Sequence, residues 1–324
     1  MIIVRIDCGM GNQMFVYAAG YVTAKRIGTE LLLDLEWYKK RQPGKDPRPY
    51  SLLCFPNIKE RTASFSDVYN LFPFQAVINY IYGRYVFWFL GRHILKEIMI
   101  MMKLIPGDNM RKKFRESPSV FLPIPRSRVF THEGSKYYEK FLVIPDNAYI
   151  WGNWQSEKFF AGYSDDIRKQ FTFSPEYFNN EYAKRIRRCN SAALHVRLGD
   201  KLRRGEVNFT AEYIRHSIEK IMSLTEDCKI FVFSDDMNWC RKNLPGIYDT
   251  EYEYVEGNSP SQDMALMTQC KNVITSASTF SWWGAWLNDN AHKIVIAPAQ
   301  RLWCSEEEYE IWKDIYPPEW IVIE

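Results

Sequence analysis

Short apolar runs rich in β-branched residues recur along the chain, and stretches with helical spacing separate them. Residues 2–6, 31–34, 148–151, 192–196, 229–233, 272–275, 293–297 and 320–323 have the length and composition of buried strands. Residues 13–26, 157–170, 210–224, 261–271 and 281–287 predict helices. Strands alternating with helices predict an α/β fold whose parallel sheets are covered on both faces. The strand-rich blocks fall into two groups. The expectation is two doubly wound domains, residues 1–170 and 171–324. Ligands of such sheets bind beyond the carboxyl ends of the strands, and a two-domain chain places them in the cleft between domains.

Residues 41–147 break the pattern and are expected to form an irregular insertion in the first domain. Within it, residues 76–104 mix aromatic and aliphatic side chains with Arg84, Arg92, His93, Lys96, Glu97 and Lys103. A spanning helix needs about 20 predominantly apolar residues, so these interruptions exclude one. Two readings stay open. The segment is a pair of partly buried helices, or it is an amphipathic surface in peripheral contact with a membrane. In the second case Arg111, Lys112, Lys113 and Arg115 would meet anionic head groups.

Composition narrows the class. With 46% hydrophobic and 25% charged residues, the 324-residue chain is an ordinary globular protein and not a disordered one. Lys plus Arg is 42 and Asp plus Glu is 39, so charge gives no ground for a nucleic-acid partner, and none is expected. The seven Cys are odd in number and contain no Cys-x-x-Cys pair, which argues against a disulfide framework or a zinc site. The start, Met-Ile-Ile-Val-Arg-Ile-Asp, lacks the basic and apolar regions of a signal peptide. A cytoplasmic protein is expected.

Four motifs carry candidate chemistry. Cys8-Gly9-Met10-Gly11-Asn12-Gln13-Met14 follows the first strand and opens a helix. It resembles a dinucleotide fingerprint, but Met14 stands where the third glycine belongs. Gly11 allows close backbone approach, while Asn12 and Gln13 offer neutral donors and acceptors; a plain strand-to-helix turn is the alternative. His195-Val196-Arg197-Leu198-Gly199-Asp200 closes a buried strand. Arg197 is placed to clamp a phosphate, with Asp200 to hold it or cap the next turn. A structural ion pair for Arg197 and a hydrogen-bonded core position for His195 are the alternatives. Phe233-Ser234-Asp235-Asp236 ends another strand, where Ser234 and Asp235 would meet a ribose or base edge, or else cap the helix at 237–242. Ser278-Thr279-Phe280-Ser281-Trp282-Trp283-Gly284-Ala285-Trp286 runs from a strand end into a helix, whose free N–H groups make an anion site. The tryptophans read as packing rather than sugar stacking.

Together with Trp154-Gln155-Ser156-Glu157-Lys158-Phe159-Phe160, these motifs make the chain similar to the bacterial α-1,2-fucosyltransferases across nearly its full length. It departs where Asp7-Cys8 precedes Gly9, a place often held by a second glycine, and where Leu198 replaces a common Arg. The resemblance implies a GT-B fold of two facing Rossmann-like domains, GDP-β-L-fucose held mainly by the second, inversion at the anomeric carbon and no metal cofactor. By motif, Arg197, Asn12 and His195 would be catalytic. Gly11, Gln13, Asp200, Ser234, Asp235, Ser278, Thr279 and Phe280 would bind the donor. The acceptor would be a galactose-containing glycan, in one version still lipid-linked at the inner face of the membrane. Asp7, His195 and Glu157 stay open as the general base. Another linkage, or a non-catalytic sugar or nucleotide binder, are the rival functions.

Overall fold

The computed structural model describes residues 1–39, 48–71, 128–198 and 211–324. The segment 76–104, with its membrane-surface alternative, lies outside the described residues, as do Gly199 and Asp200. Among the described residues no helix is long and apolar enough to cross a membrane.

Two parallel sheets form an α/β fold. The first contains β1 (Ile2–Arg5), β2 (Leu31–Asp34), β3 (Val129–His132) and β4 (Ala148–Gly152) in the order β2-β1-β4-β3. Ile3 lies opposite Leu32 on one side and Tyr149 on the other. The second contains β5 (Asn190–Val196), β6 (Cys228–Ser234), β7 (Tyr252–Tyr254), β8 (Asn272–Ile274), β9 (Val295–Pro298) and β10 (Ile321–Ile323) in the order β10-β9-β8-β5-β6-β7. Strand order therefore reverses between β1 and β4 in one sheet and between β5 and β8 in the other. In an open parallel sheet such a switch point leaves a crevice beyond the carboxyl ends, because the chain departs in opposite directions on either side. Strand β5 shows why the runs are apolar: every residue after Asn190 is buried, as a central parallel strand covered on both faces requires.

The two sheets are joined through helices. Helix α1 (Met10–Ile27) is buried around most of its circumference. Its Phe15 ring lies 4.6 and 4.8 Å from Trp282 and Trp283 in the helix Thr279–Leu287. Gly11 makes that contact possible: a Cβ there would stand 2.5 Å from the carbonyl carbon of Thr279. Trp283 Nε1 donates to the Gly11 carbonyl at 3.0 Å. The tryptophans pack and do not line a surface, as the sequence suggested. Near the carboxyl terminus the chain returns to the first sheet, where the backbone N–H groups of Ser135 and Lys136 donate to Ile311 O at 2.8 and 3.0 Å.

Two strands escape the sequence pattern. β3 lies inside the stretch expected to be irregular, and β7 is a three-residue edge strand whose residues are all half-buried. The helix expected over 157–170 is broken into short 3-10 turns at Glu157–Phe159 and Ala161–Tyr163, followed by a helix at Ser164–Gln170. Gly162 lies at the break, and Phe159 and Phe160 are both buried.

Candidate active site

The switch point of the second sheet gathers most of the predicted residues. His195 Nδ1 lies 2.8 Å from Ser276 Oγ, tying β5 to the segment after β8. The Phe280 ring centre is 5.5 Å from the imidazole, and His195 is buried. This is the hydrogen-bonded core position that the sequence left open, set directly under the site. Arg197 emerges one residue beyond β5. Its Nη1 pairs with Asp235 Oδ2 at 3.0 Å, and Asp235 Oδ1 accepts from the Leu198 backbone N–H at 2.9 Å. Both side chains of the pair are 24% exposed, so the guanidinium is fixed yet reachable. Ser234 Oγ accepts from Asp236 N at 3.0 Å. The cap of the helix Met237–Ile247 is Asp236, which accepts from Trp239 N at 3.0 Å. Neither Ser234 nor Asp235 is that cap, and Asp235 is thereby available to hold Arg197.

The helix Thr279–Leu287 starts at the same edge. Ser278 is its N-cap and accepts weakly from Phe280 N at 3.3 Å. Thr279 Oγ1 donates to Asn12 Oδ1 at 2.8 Å, and Gln155 Nε2 donates to the same oxygen at 3.1 Å. Two donors on Oδ1 orient the Asn12 amide so that its Nδ2 donor faces away from both. Both hydroxyls expected to hold phosphate thus have partners within the protein. An arriving anion would compete with Ser278 Oγ for the Phe280 amide and would meet the positive end of the helix dipole.

The glycine-rich turn divides by role. Asn12 is half-buried at the edge, but Gln13 is fully buried. Gln13 Nε2 donates to Cys8 O and Pro49 O at 3.0 and 2.9 Å, and its Oε1 accepts from Ser51 N at 2.8 Å. Gln13 therefore fastens the 48–51 segment to the turn, and Gly11 serves the contact between helices.

Of the three candidate bases, Glu157 stands in the wrong place. Its Oε2 accepts from Trp286 Nε1 at 3.1 Å, at the far end of the helix. Seven residues at about 1.5 Å rise put Trp286 roughly 10 Å along the axis from Thr279. Burial pushes the Glu157 carboxyl up. Close by, Lys293 Nζ donates to the carbonyls of Ala285 and Asn288 at 2.9 and 2.7 Å, and burial pushes its ammonium down to about 8. That cluster completes the carboxyl end of the helix.

Asp263 opens the sequence motif Asp263-Met264-Ala265-Leu266-Met267, and the structure shows its setting. It sits in the first turn of the helix Pro260–Gln269, which already has a Ser259–Gln262 capping box, so its carboxylate is not needed as a cap. Asn258 Nδ2 donates to it at 3.1 Å, and burial pushes it up to about 6. An acidic residue inside a helix start already capped by Ser and Gln was the available signal. Among the described residues, no group of three or more His, Cys, Asp or Glu side chains is arranged to hold a metal ion.

Residues 126–324 match the family model described as glycosyl transferase family 11. The chain belongs to that family. Over its whole length it is 28% identical to an alpha-1,2-colitosyltransferase of Escherichia coli, covering 99% of that protein. It is 26% identical to the O-antigen biosynthesis glycosyltransferase WbnK of Escherichia coli over 90% of this chain and 91% of the relative. A galactoside alpha-(1,2)-fucosyltransferase 1 from Lagothrix lagotricha is 30% identical over 147 residues, 40% of each chain. The chain is thus a family 11 glycosyltransferase, similar to relatives named as α-1,2-colitosyl- and α-1,2-fucosyltransferases.

Proposed function

We propose that this family 11 chain transfers L-fucose from GDP-β-L-fucose to a galactoside hydroxyl, forming an α-1,2 linkage with inversion and without a metal cofactor. In this reading the halves face each other as in GT-B enzymes. Residues 171–324 hold the donor and residues 1–170 the acceptor. The observation that carries the reading is the Thr279–Asn12 hydrogen bond, in which the Asn12 amide oxygen of one half accepts from the anion-favouring helix start of the other.

The chemistry follows from charge. As the bond from the anomeric carbon to the phosphate oxygen breaks, the sugar becomes oxocarbenium-like and negative charge grows on the β-phosphate. Arg197, held by Asp235, and the first-turn amides at Thr279 stabilise that charge where it develops. Asn12 Nδ2 donates near the departing oxygen. His195 acts from below, keeping Ser276 and Phe280 in place.

The α-1,2 names of the relatives support the linkage. The full-length relative's name favours a second donor: colitose lacks only the 3-hydroxyl of fucose. The acceptor is proposed to be a polysaccharide or oligosaccharide repeat, met while lipid-linked at the inner membrane face. The test is incubation with GDP-fucose or GDP-colitose and a β-galactoside, with the product linkage read by NMR. An α-1,2-linked product is expected. A different linkage, or GDP binding without transfer to any galactoside, contradicts the reading.

A further inference from the structure

The switch point of the first sheet holds a carboxylate that the donor chemistry does not use. Asp7 follows β1 by two residues and lies beyond the carboxyl ends of β1 and β4. Its Oδ2 accepts from Trp151 Nε1 at 3.0 Å and pairs with Arg5 Nε at 3.3 Å. The Arg5 guanidinium lies 4.6 Å over the Trp151 ring, and its side chain is only 7% exposed. One oxygen is therefore held from within the sheet by two donors. Among the described residues, Oδ1 takes no hydrogen bond, and the side chain is 15% exposed.

The surroundings suit a sugar. Trp37 and Tyr38 follow β2 at the same edge, with ring centres 4.9 Å apart. Tyr38 hydroxyl approaches the Cys8 carbonyl at 3.4 Å, and Tyr50 is 5.9 Å from the Tyr38 ring. Aromatic walls with one oriented polar group are how a pocket fixes a small polar ligand.

Resting on the fucosyl-transfer reading, we propose that Asp7 is the general base of the reaction and that Trp37 and Tyr38 bound the acceptor-sugar subsite. The acceptor O–H proton passes to Asp7 Oδ1. The acceptor oxygen forms its bond to the anomeric carbon as the anomeric carbon–phosphate oxygen bond breaks, and that electron pair leaves on GDP. Asp7 then returns the proton to solvent. Glu157 is bound to Trp286 at the far end of the helix Thr279–Leu287, and His195 is buried against Ser276, so neither competes for this role.

The test is Asp7→Asn in the full chain. Its amide oxygen still accepts from Trp151, but Arg5 loses its ion-pair partner, so the variant should stay folded and melt somewhat below the wild type. Transfer to a galactoside should fall by about a hundredfold or more, the usual scale of general-base catalysis. GDP affinity should not change, and Asp7→Glu should recover part of the rate. Wild-type-like transfer by Asp7→Asn overturns the proposal. So does a parallel loss of transfer, GDP affinity and melting temperature, because that pattern marks a structural role. A wild-type chain that binds GDP but transfers no sugar overturns the fucosyl-transfer reading itself, and the base assignment with it.

Discussion

Each sheet carries an arginine–aspartate pair at its switch point, and the two pairs are built in opposite senses. In the second sheet Arg197 and Asp235 are equally exposed, and the guanidinium reaches the edge. In the first, Arg5 is the buried member and Asp7 the outward one. The difference follows from position. Arg5 is the last residue of β1 and lies against Trp151 of β4, whereas Arg197 has already left β5. One crevice therefore presents a cation and the other an anion. That is the polarity a glycosyl transfer needs, with a diphosphate departing on one side and a hydroxyl losing its proton on the other.

The largest effect expected on this polarity comes from Arg197→Ala. Losing one oriented donor to the developing phosphate charge should lower turnover about a hundredfold or more. Arg197→Lys should restore little, because the planar two-point geometry is lost. Steady-state rates on folded protein check this, and near-full activity would break the comparison.

Thr279→Val probes the bond that joins the halves. One neutral hydrogen bond contributes about 0.5–1.5 kcal/mol, so turnover should drop roughly three- to tenfold as Asn12 loses its orientation. GDP titration should change less than turnover. The reverse pattern would assign Thr279 to donor binding directly.

Asp263 gives a smaller effect, read in stability. Its carboxyl is raised to about 6 in the folded chain, above the usual value near 4. Between those values the folded state binds more protons than the unfolded state, so its contribution to stability falls as pH rises through that window. Asp263→Asn removes the penalty and keeps an acceptor for Asn258. The variant should gain on the order of 2–3 kcal/mol at pH 7 and nothing near pH 3. Melting curves at both pH values check the sign, and a loss at pH 7 would contradict it.

The smallest effect expected is none at all. With Arg197 and the helix start supplying positive charge to the phosphates, transfer should persist unchanged in excess EDTA. Loss of activity that manganese or magnesium restores would mean that the second crevice is incomplete without a cation.

Much of this arrangement was legible in the residues. The apolar runs located eight of the strands because parallel strands buried on both faces leave little room for polar residues. Arg197 was visible as a cation at a strand end. Its partner was not settled, because Asp235 reaches it only when β5 and β6 lie in register, with Val196 opposite Ser234. Gly11 was visible as a point of close approach, but what approaches is Thr279, a contact that depends on the packing of two distant helices. Asp7 was one of three carboxylate or imidazole candidates until Trp151, 144 residues away, was seen to hold one of its oxygens. Local pattern gave elements and edge residues, whereas partners came from topology.

The central claim is that the second crevice holds the diphosphate and the first acts on the acceptor. Calorimetric titration of GDP into the wild type, Arg197→Ala and Asp7→Asn tests it most directly. A charge-assisted hydrogen bond contributes about 1.5–3 kcal/mol, so Arg197→Ala should weaken GDP binding by about tenfold or more. Asp7→Asn should bind GDP as the wild type does. Equal losses in the two variants, or a loss confined to Asp7→Asn, would contradict the division of labour between the two sheets.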